Sequence, residues 1–237
     1  MRSLRPDQQL SSTEPVVAVV VAAGSGSRLG ASLPKALVDL DGVTLVRRSV
    51  DALRAGGVTS IVVTIPDGYQ PHFAAALDGT DARLVVGGAS RQDSVRIGLE
   101  SLSAPGTAIV LVHDAARALV PPGVVAAVAG AIAAGAEAAV PVLAVVDSIR
   151  RLEGERSEVI DRAPLRAVQT PQAARLGALR LAHAAAVRQG LEVTDDAAAC
   201  EAAGMHVTLV EGHRDAMKIT EPVDLILALA LLRERKS

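Results

Sequence analysis

The chain has 237 residues, of which 50% are hydrophobic and 21% are charged, and its formal net charge is -2 at pH 7. This composition supports a sizeable buried core, which excludes a disordered protein, and it lacks the basic excess that would attract nucleic acid. One Tyr, one Phe and no Trp leave no aromatic platforms for stacked bases, so we expect no nucleic-acid partner.

The first 15 residues are polar and precede the first apolar run. They contain no apolar stretch of signal-peptide length, and we expect residues 1–15 to form a flexible leader. The apolar stretch Val223–Leu232 is too short to span a bilayer. These two features predict a cytoplasmic protein with no membrane partner.

Apolar runs rich in β-branched residues alternate with amphipathic or Ala-rich segments along residues 16–142. The runs predict buried strands, and the intervening segments predict helices. The predicted strands are Val16–Ala22, Ser60–Ile65, Leu84–Val86, Ala108–Val112 and Ala138–Val142, and the predicted helices are Thr44–Ala55, Tyr69–Leu77, Arg91–Leu102 and Gly123–Ala134. This alternation indicates an α/β fold of three layers, with right-handed βαβ units and a mostly parallel sheet.

A charged segment, Val145–Ala163, interrupts this pattern. Its two β-like halves flank Glu153-Gly154-Glu155 and predict a projecting β-hairpin arm over about residues 146–164. Because an isolated hairpin is marginally stable, we expect the arm to pack on a second subunit; a mobile surface loop is the alternative.

The remainder of the chain continues the alternating pattern. It contains three predicted helices and one predicted strand, namely Gln172–Gln189, Asp195–Ala203 and Pro222–Arg233, and His206–Val210. Because no low-complexity linker divides the chain, we expect residues 16–237 to form a single domain that includes the arm.

A glycine loop that contains Arg28 and Lys35 follows the first predicted strand. Gly24 and Gly26 fit a dinucleotide fingerprint, but Leu29 occupies its third glycine position. The residues on either side of Lys35 do not match a Walker A loop either. A glycine loop with two cations at the carboxyl end of a strand still suits a phosphate group, and a tight turn with solvated charges is the alternative.

Lysine is rare in this chain. Only Lys35, Lys218 and Lys236 occur among the 24 basic residues. Since a lysine is a compact point charge and an arginine is a planar fork, we regard Lys35 and Lys218 as candidate site residues, with ordinary surface lysines as the alternative. Cys200 is the only cysteine, and we expect it to be a small buried hydrophobe rather than a reactive thiol.

The segment Gly87–Val95 joins a predicted strand to a predicted helix. Ser90 is placed to cap the helix, and Asp93 suits the helix dipole in the first turn. A cation in that turn opposes the dipole, so we expect Arg91 to pair with an anion or a carboxylate. Ser94 is a further candidate site residue.

Polar residues also follow a buried strand at Leu111–Arg117. We expect His113 to be a satisfied structural histidine, whereas Asp114 and Arg117 are expected to be functional, because a carboxylate there can bind a metal or a substrate hydroxyl. Thr170 and Thr194 each precede a predicted helix, where a hydroxyl can cap the helix or face a ligand.

These residues occur in the order A-A-G-x-G-x-R-x-G…P-K, G-G-x-x-R-x-x-S-V, V-H-D-A-A-R, D-R, T-P-Q, T-D and K-I-T. In this order the sequence from Val16 to about Leu232 resembles the 2-C-methyl-D-erythritol 4-phosphate cytidylyltransferase family of the non-mevalonate isoprenoid pathway. The resemblance implies a Rossmann-like nucleotidyltransferase fold and a homodimer clasped by hairpin arms. It also implies transfer of CMP from CTP to methylerythritol phosphate, with release of pyrophosphate and with Mg2+ as cofactor.

The resemblance implies a role for each candidate residue. Arg28 and Lys35 would stabilise the α-phosphate in the transition state, while Lys218, and Arg162 from the partner's arm, would orient the substrate phosphate. The nucleotide-binding residues would be Ala22, Ala23, Gly24, Gly26, Gly88, Arg91 and Ser94. The polyol-binding residues would be Asp114, Arg117, Ser148, Thr170 and Thr194, together with Arg162 and Lys218. The resemblance assigns no direct metal ligand.

Three positions depart from the family pattern: Ser148 stands where Thr is usual, Ala118 where Pro is frequent, and Asp196 where Glu is common. These departures bear on affinity more than on reaction type. Two alternatives stay open. One is a ribitol-5-phosphate cytidylyltransferase, and the other is a nucleotide-binding regulator without turnover, against which the retained Arg28, Lys35 and Lys218 argue.

Overall fold

An eight-stranded sheet lies at the centre of the computed structural model, which describes residues 14–24 and 33–236. The strands in these ranges are β1 Val16–Val21, β2 Asp39–Leu40, β3 Val43–Thr44, β4 Ser60–Ile65, β5 Arg83–Val86, β6 Ile109–Asp114, β7 Ala138–Ala144, β8 Ile149–Glu153, β9 Arg156–Ile160, β10 Arg166–Val168, β11 Gln172–Arg175 and β12 Val207–Glu211. The α-helices are α1 Leu45–Ala55, α2 Gln70–Ala76, α3 Arg91–Ser101, α4 Pro122–Ala133, α5 Leu176–Arg188, α6 Asp196–Ala202 and α7 Pro222–Lys236.

The strand order of the central sheet is β10-β7-β11-β6-β1-β4-β5, with β12 paired to β7. Strands β5, β4, β1 and β6 are parallel to one another, whereas β10 and β11 run antiparallel to their neighbours. The predicted mostly parallel sheet is therefore confirmed. After β1 the chain passes to β4 on one side and later returns to β6 on the other, so the β1–β6 junction is a topological switch point, where α/β sheets bind ligands.

The two faces of the sheet are covered by different helices. In β1, Val16, Ala18 and Val20 pack in a core with residues of α1, α2 and α4. Val17 and Val19 point to the other face and pack in a core with residues of α3, α5 and α6. This alternation confirms the predicted three-layer fold and explains why the strands are apolar throughout.

One predicted helix is wrong at its start. The segment predicted as a single helix, Gln172–Gln189, is a strand, β11, followed by α5. Residues of β11 pair with β6 on one side and β7 on the other, and this pairing overrides the helix propensity of its two alanines. Thr170 therefore precedes a strand rather than a helix.

The predicted arm is a β-hairpin. Strands β8 and β9 form a separate two-stranded antiparallel sheet, in register from the pair Ile149–Ile160 to the pair Glu153–Arg156. Two apolar side chains of this hairpin are exposed, Leu152 by 78% and Val159 by 65%. The hairpin itself is thus confirmed, and its role in dimerisation stays a prediction.

Three expectations about the rest of the chain have different outcomes. Cys200 is buried, and burial together with nearby carboxylates raises the pKa of its thiol to about 12, which confirms a small buried hydrophobe. None of the described helices is long and apolar enough to cross a membrane. The leader is not tested, since residues 1–13 lie outside the described ranges.

Candidate functional site

A cavity of about 530 Å³ opens at the carboxyl ends of β1 and β6. Nine of the candidate residues line it: Ala22, Ala23, Gly24, Lys35, Gly88, Arg91, Ser94, Asp114 and Lys218. Lining residues that were not assigned a ligand-binding role are Val21, Ala36, Ala89, Ser90, Ala115, Ala116 and Thr220. The cavity therefore collects residues from separate segments of the chain at the switch point of the sheet.

The floor of the cavity is set by the sheet itself. Val21, the last residue of β1, pairs with Asp114, the last residue of β6. The amide of Ala22 donates to the carbonyl of Thr64 at 2.9 Å, and the amide of Ala115 donates to the carbonyl of Val21 at 3.1 Å. These bonds fix the backbone of Ala22 and Ala115, which directly follow the two strands and line the cavity.

Gly24 and Gly88 lack side chains for different reasons. A Cβ added to Gly88 would lie 2.3 Å from the Cβ of Asp93, so the turn before α3 has no room for one. No described atom lies within 4 Å of a Cβ added to Gly24. Since Gly24 lines the cavity, its missing side chain leaves space for a ligand close to the backbone.

Lys35 lies on a short 3-10 turn, Lys35–Leu37, that follows Pro34. The amide of Leu37 donates to the carbonyl of Pro34 at 2.8 Å, and the side chains of Ala36 and Leu37 are buried. The turn is anchored by its apolar residues, so the backbone presents Lys35 to the cavity from a fixed position.

Lys218 is held in the same way by its neighbours. Ala216 and Ile219 are fully buried, and the amide of Ile219 donates to the carbonyl of Ala116 at 2.9 Å, beside the end of β6. The ammonium of Lys218 donates to the Asp114 carboxylate at 2.7 Å. These contacts bring the Lys218 segment, which is 104 residues from Asp114 in sequence, onto the cavity wall.

Asp114 is the carboxylate on which two cations converge. Its Oδ2 accepts from Lys218, and its Oδ1 accepts from Arg91 Nε at 3.2 Å. Burial opposes ionisation, but the charges of Arg91 and Lys218 outweigh it and hold the pKa of Asp114 well below its usual range. Among the described lining residues Lys35, Arg91 and Lys218 are cations and Asp114 is the one anion, so this part of the wall suits an anionic ligand.

The β5–α3 junction forms the next wall. The amide of Asp93 donates to Ser90 Oγ at 3.0 Å, which confirms Ser90 as the N-cap of α3. Ser94 Oγ accepts from the amide of Gly88 at 3.1 Å and donates to the carbonyl of Ser90 at 2.9 Å. Ser94 thereby ties the glycine turn to the first turn of α3.

Arg91 pairs with two carboxylates, as its position in the first helical turn predicted. Besides Asp114, its Nη2 donates to Asp196 at 2.9 Å. Burial opposes the charge of Arg91, but Asp196 and Asp114 raise the pKa of the guanidinium above its usual range. Asp196 also bonds to His183, at 3.0 Å. In the sequence Asp196 is marked only as a departure from the family pattern, and no motif marks His183.

Thr170 lies behind the cavity wall rather than in it. Its buried hydroxyl accepts from the amide of Asp114 at 3.1 Å and is hydrogen-bonded to His113 Nδ1 at 3.0 Å. Burial lowers the pKa of His113 to about 4. The prediction of a satisfied structural histidine holds for Nδ1, whereas Nε2 has no hydrogen-bond partner among the described atoms.

Arg117 also acts from outside the described lining. Its Nη1 donates to the carbonyl of Ala216 at 2.8 Å, and its Nη2 donates to the carbonyl of Val168 at 3.2 Å. Burial lowers the pKa of Arg117, and the nearby Asp114 partly offsets this effect. The guanidinium thus joins the segment before Lys218 to the segment before Thr170.

The remaining candidates lie away from the described cavity or outside the described ranges. Ser148 and Arg162 are exposed near the base of the hairpin, where Arg162 donates to the carbonyl of Val146. Thr194 precedes α6 but does not cap it, because Asp195 accepts from the amide of Ala198 at 2.9 Å as the N-cap. Gly26 and Arg28 lie outside the described residues.

Known proteins of one family are similar to this chain over nearly its whole length. A family model described as 2-C-methyl-D-erythritol 4-phosphate cytidylyltransferase matches residues 16–234. A protein of that name from Nocardia farcinica is 46% identical over 224 residues, which cover 93% of this chain and 95% of the relative. One from Corynebacterium efficiens is 43% identical over an alignment of 236 positions, which covers 93% of this chain and 94% of the relative.

Solved structures agree with these relatives. The crystal structure of 2-C-methyl-D-erythritol 4-phosphate cytidylyltransferase from Thermus thermophilus superposes with a TM-score of 0.78 at 43% identity. The superposition covers 92% of this chain and 98% of that one. The similarity therefore extends over nearly the whole of both chains.

Proposed function

The chain belongs to the 2-C-methyl-D-erythritol 4-phosphate cytidylyltransferase family, and from this premise we propose that it transfers CMP from CTP to 2-C-methyl-D-erythritol 4-phosphate. The products are 4-diphosphocytidyl-2-C-methyl-D-erythritol, an isoprenoid precursor, and pyrophosphate. The observation that supports this proposal most strongly is the convergence of Lys35, Arg91 and Lys218 on one glycine-lined cavity.

The reaction needs positioning and charge neutralisation more than proton transfer. An ionised phosphate oxygen of the polyol phosphate attacks the α-phosphorus of CTP and forms a new P–O bond. The bond from that phosphorus to the bridging oxygen breaks, and its electron pair leaves with pyrophosphate. Because the nucleophile is already an anion at neutral pH, no strong general base is required, but two phosphates must approach each other.

The cations of the cavity reduce the repulsion between the two phosphates. We assign Lys35 to the α-phosphate, where negative charge accumulates in the transition state, and we assign Arg28 the same role on the basis of the family motif. Lys218 holds the phosphate of the polyol substrate. Lys218 bonds to Asp114 at 2.7 Å. Its ammonium group is therefore already oriented before the substrate phosphate binds to it.

The nucleotide end of the cavity is assigned to backbone and small side chains. The wall from Ala22 to Gly24 gives a ligand close access to the main chain, because Gly24 carries no side chain there, and the turn at Gly88 adds a further stretch of backbone to the lining. Ser94 contributes a hydroxyl, and Arg91 a guanidinium. A wall of backbone and small side chains can select the nucleotide base by its shape and by hydrogen bonds to the main chain.

The polyol end is assigned to Asp114, supported from behind by Thr170 and Arg117. Thr170 holds the amide of Asp114, and Arg117 holds the backbone before Lys218, so both position residues at the polyol end. Direct polyol contacts by Arg117, Ser148, Thr170 and Thr194 stay predictions.

Mg2+ is proposed as the cofactor on the basis of donor chemistry. Within the described ranges no group of three or more His, Cys, Asp or Glu residues could hold a metal ion, and Asp114 is the one carboxylate among the described lining residues. Mg2+ commonly binds through one carboxylate and substrate phosphates, so Asp114 and a triphosphate form a suitable donor set. When bound, the ion would neutralise charge on the phosphates.

We propose that the active form is a homodimer clasped by the arms. The exposed Leu152 and Val159 belong to a hairpin whose strands pair with each other and stand apart from the central sheet, and such a hairpin needs a surface to pack on. Arg162, at the base of the arm, does not belong to the described lining of its own cavity. In the dimer it would reach the phosphate of the polyol substrate in the partner's cavity. A cytoplasmic location stays a prediction.

A pyrophosphate-release assay tests the proposed reaction. The protein is incubated with Mg2+ and each of CTP, ATP, GTP and UTP, in combination with methylerythritol phosphate or ribitol 5-phosphate. We expect release with CTP and methylerythritol phosphate, at a kcat/KM well above that of every other pair. Preference for ribitol 5-phosphate would establish the alternative cytidylyltransferase, and CTP binding without release would establish a regulator.

A further inference from the structure

A line of ion pairs and hydrogen bonds runs from the cavity into the interior of the fold. Lys218 bonds to Asp114, Asp114 to Arg91, Arg91 to Asp196, and Asp196 to His183, at 2.7, 3.2, 2.9 and 3.0 Å respectively. The first three residues line the cavity. Asp196 and His183 are each only 1% exposed and are absent from the described lining, so neither can contact a ligand there directly.

Asp196 is fixed by its backbone as well as by its side chain. The amides of Asp196 and Ala197 both donate to Gln172 Oε1, at 2.9 and 2.8 Å. Gln172 is buried in β11, and its amide group also donates to Asp195 at 3.0 Å. The amino end of α6 is therefore attached to the central sheet. This attachment fixes the backbone from which the Asp196 carboxylate extends.

Arg91 needs such a partner more than an ordinary surface arginine does. It begins α3, where the helix dipole disfavours a cation, and its side chain is 28% exposed at the cavity wall. Asp114 accepts a hydrogen bond from Nε, and Asp196 accepts one from Nη2. The planar guanidinium is therefore held at two points. Two points define the orientation of the fork, which one bond would leave free to rotate.

Stability alone is a weak reason for this arrangement. Charged groups lose hydration when they are buried, and well-packed apolar residues often replace a buried ion pair without loss of stability. His183 bonds to the second oxygen of Asp196, so that the carboxylate meets the guanidinium with one defined oxygen. The two buried residues, His183 and Asp196, therefore act on one side chain of the cavity, Arg91.

We propose that Asp196 and His183 are positioning residues that orient the Arg91 guanidinium for nucleotide binding. The inference rests on the proposed function in one respect, which is that the nucleotide is CTP. It adds to the family pattern an assignment for Asp196, the aspartate that stands where glutamate is common, and for a histidine on α5 that no motif marks.

A double-mutant cycle tests whether Asp196 acts through Arg91. The dissociation constant for CTP with Mg2+ is measured by calorimetry for the wild type, Asp196→Asn, Arg91→Ala and the double variant. We expect each single variant to weaken binding by roughly tenfold, and the double variant to bind no more weakly than Arg91→Ala. Additive effects, or an unchanged constant for Asp196→Asn, would overturn the inference.

Two variants of His183 test the inference independently, should a variant of the double-mutant cycle fail to fold. Glutamine at position 183 keeps an N–H donor for Asp196, whereas leucine removes it. We expect CTP binding by His183→Gln to be near that of the wild type and binding by His183→Leu to be weaker by roughly fivefold. Equal binding by the two variants contradicts a positioning role for His183.

The control is Cys200→Ala, one helical turn after Asp196 in the same helix. It removes a buried thiol from α6 and leaves every bond of Asp196 in place, so we expect a lower Tm with an unchanged dissociation constant. The wild type separates the two proposals. If it fails to bind CTP, the proposed function is wrong; if it binds CTP and the cycle is additive, only the positioning role is wrong.

Discussion

At the scale of single residues, Asp114 determines how the cations of the cavity are arranged. Its two oxygens bond to Arg91 and Lys218, so one carboxylate orients a cation at the nucleotide end and another at the polyol end. Thr170 fixes the backbone of Asp114 from behind. The positions of the reacting phosphates thus depend on Asp114 through the two cations that it orients.

Gly24 provides a test of the space left for the nucleotide. Gly24→Ala adds a Cβ that meets no described atom within 4 Å, so we expect stability to change by less than about 0.5 kcal/mol. Because Gly24 lines the cavity, we expect the added methyl group to raise the KM for CTP by roughly tenfold. Steady-state kinetics and thermal unfolding give the two values.

Gly123→Ala is the matched control for this substitution. A Cβ at Gly123, in α4, also meets no described atom within 4 Å, and Gly123 is not among the described lining residues. We expect an unchanged KM and slightly higher stability, because alanine favours a helix. Equal KM values for the two variants would exclude close approach of the nucleotide to Gly24.

His113 makes stability depend on pH. Burial lowers its pKa from 6.5 to about 4 in the folded protein, so the unfolded chain takes up a proton first as the pH falls. The contribution of His113 to stability is then greatest above pH 6.5 and decreases towards pH 4. Between pH 7 and pH 4.5 this group removes about 2 kcal/mol of the free energy of unfolding.

His113→Asn isolates this contribution, because asparagine can bond to Thr170 but does not titrate. We expect the variant to lose about 2 kcal/mol less than the wild type between the two pH values, as measured by urea denaturation. The same loss in both proteins would show that His113 is not the group responsible.

The sequence identified those site residues that directly follow predicted strands. Asp114 and Gly88 follow β-branched runs, and the carboxyl ends of parallel strands meet at one edge of a sheet. The pairing of Arg91 with Asp196 was not predictable in this way, since Asp196 lies 105 residues away. No sequence pattern marks His183, the second partner of Asp196. Pairings of this kind depend on how α5 and α6 pack on the sheet.

At the scale of elements, β11 shows why local propensity failed. Gln172–Arg175 contains two alanines and no β-branched residue, yet it fills the space between β6 and β7. The antiparallel pairing is non-local, so it was not visible in the sequence. The parallel strands were predicted because continuous burial on both faces requires long apolar runs.

The hairpin arm is the element whose purpose is most directly testable. We expect the double variant Leu152→Lys/Val159→Lys to raise the dimer dissociation constant by roughly tenfold or more, because it places two charges in an apolar contact. Light scattering over a range of protein concentrations measures this change. The control is Leu181→Lys on α5, which is also exposed, by 70%. Similar behaviour of both proteins would argue against arm-mediated association.

At the scale of the whole molecule, the proposed site is shared between two subunits. Lys35 acts in its own cavity, and Arg162 acts in the partner's cavity. In a dimer of one Lys35→Ala chain and one Arg162→Ala chain, one cavity carries both lesions and the other carries none. A site built from a single chain would leave one lesion in each cavity.

Mixing the two variants distinguishes these arrangements. Equal amounts are unfolded together and refolded, and heterodimers are verified by a tag on one chain. We expect recovery of about a quarter of the wild-type activity, since half of the dimers are mixed and each of them has one intact site. No recovery in verified heterodimers would mean that Arg162 does not act across the subunit boundary.

The most direct measurement follows radioactive phosphorus from CTP. With the label on the α-phosphate, we expect it to appear in the CDP-linked alcohol, and with the label on the γ-phosphate, in pyrophosphate. Lys35→Ala should slow transfer of the α-label by roughly 100-fold. Label from the γ-phosphate in the alcohol product, or an unchanged rate of α-label transfer by Lys35→Ala, would contradict nucleotidyl transfer assisted by the cations of this cavity.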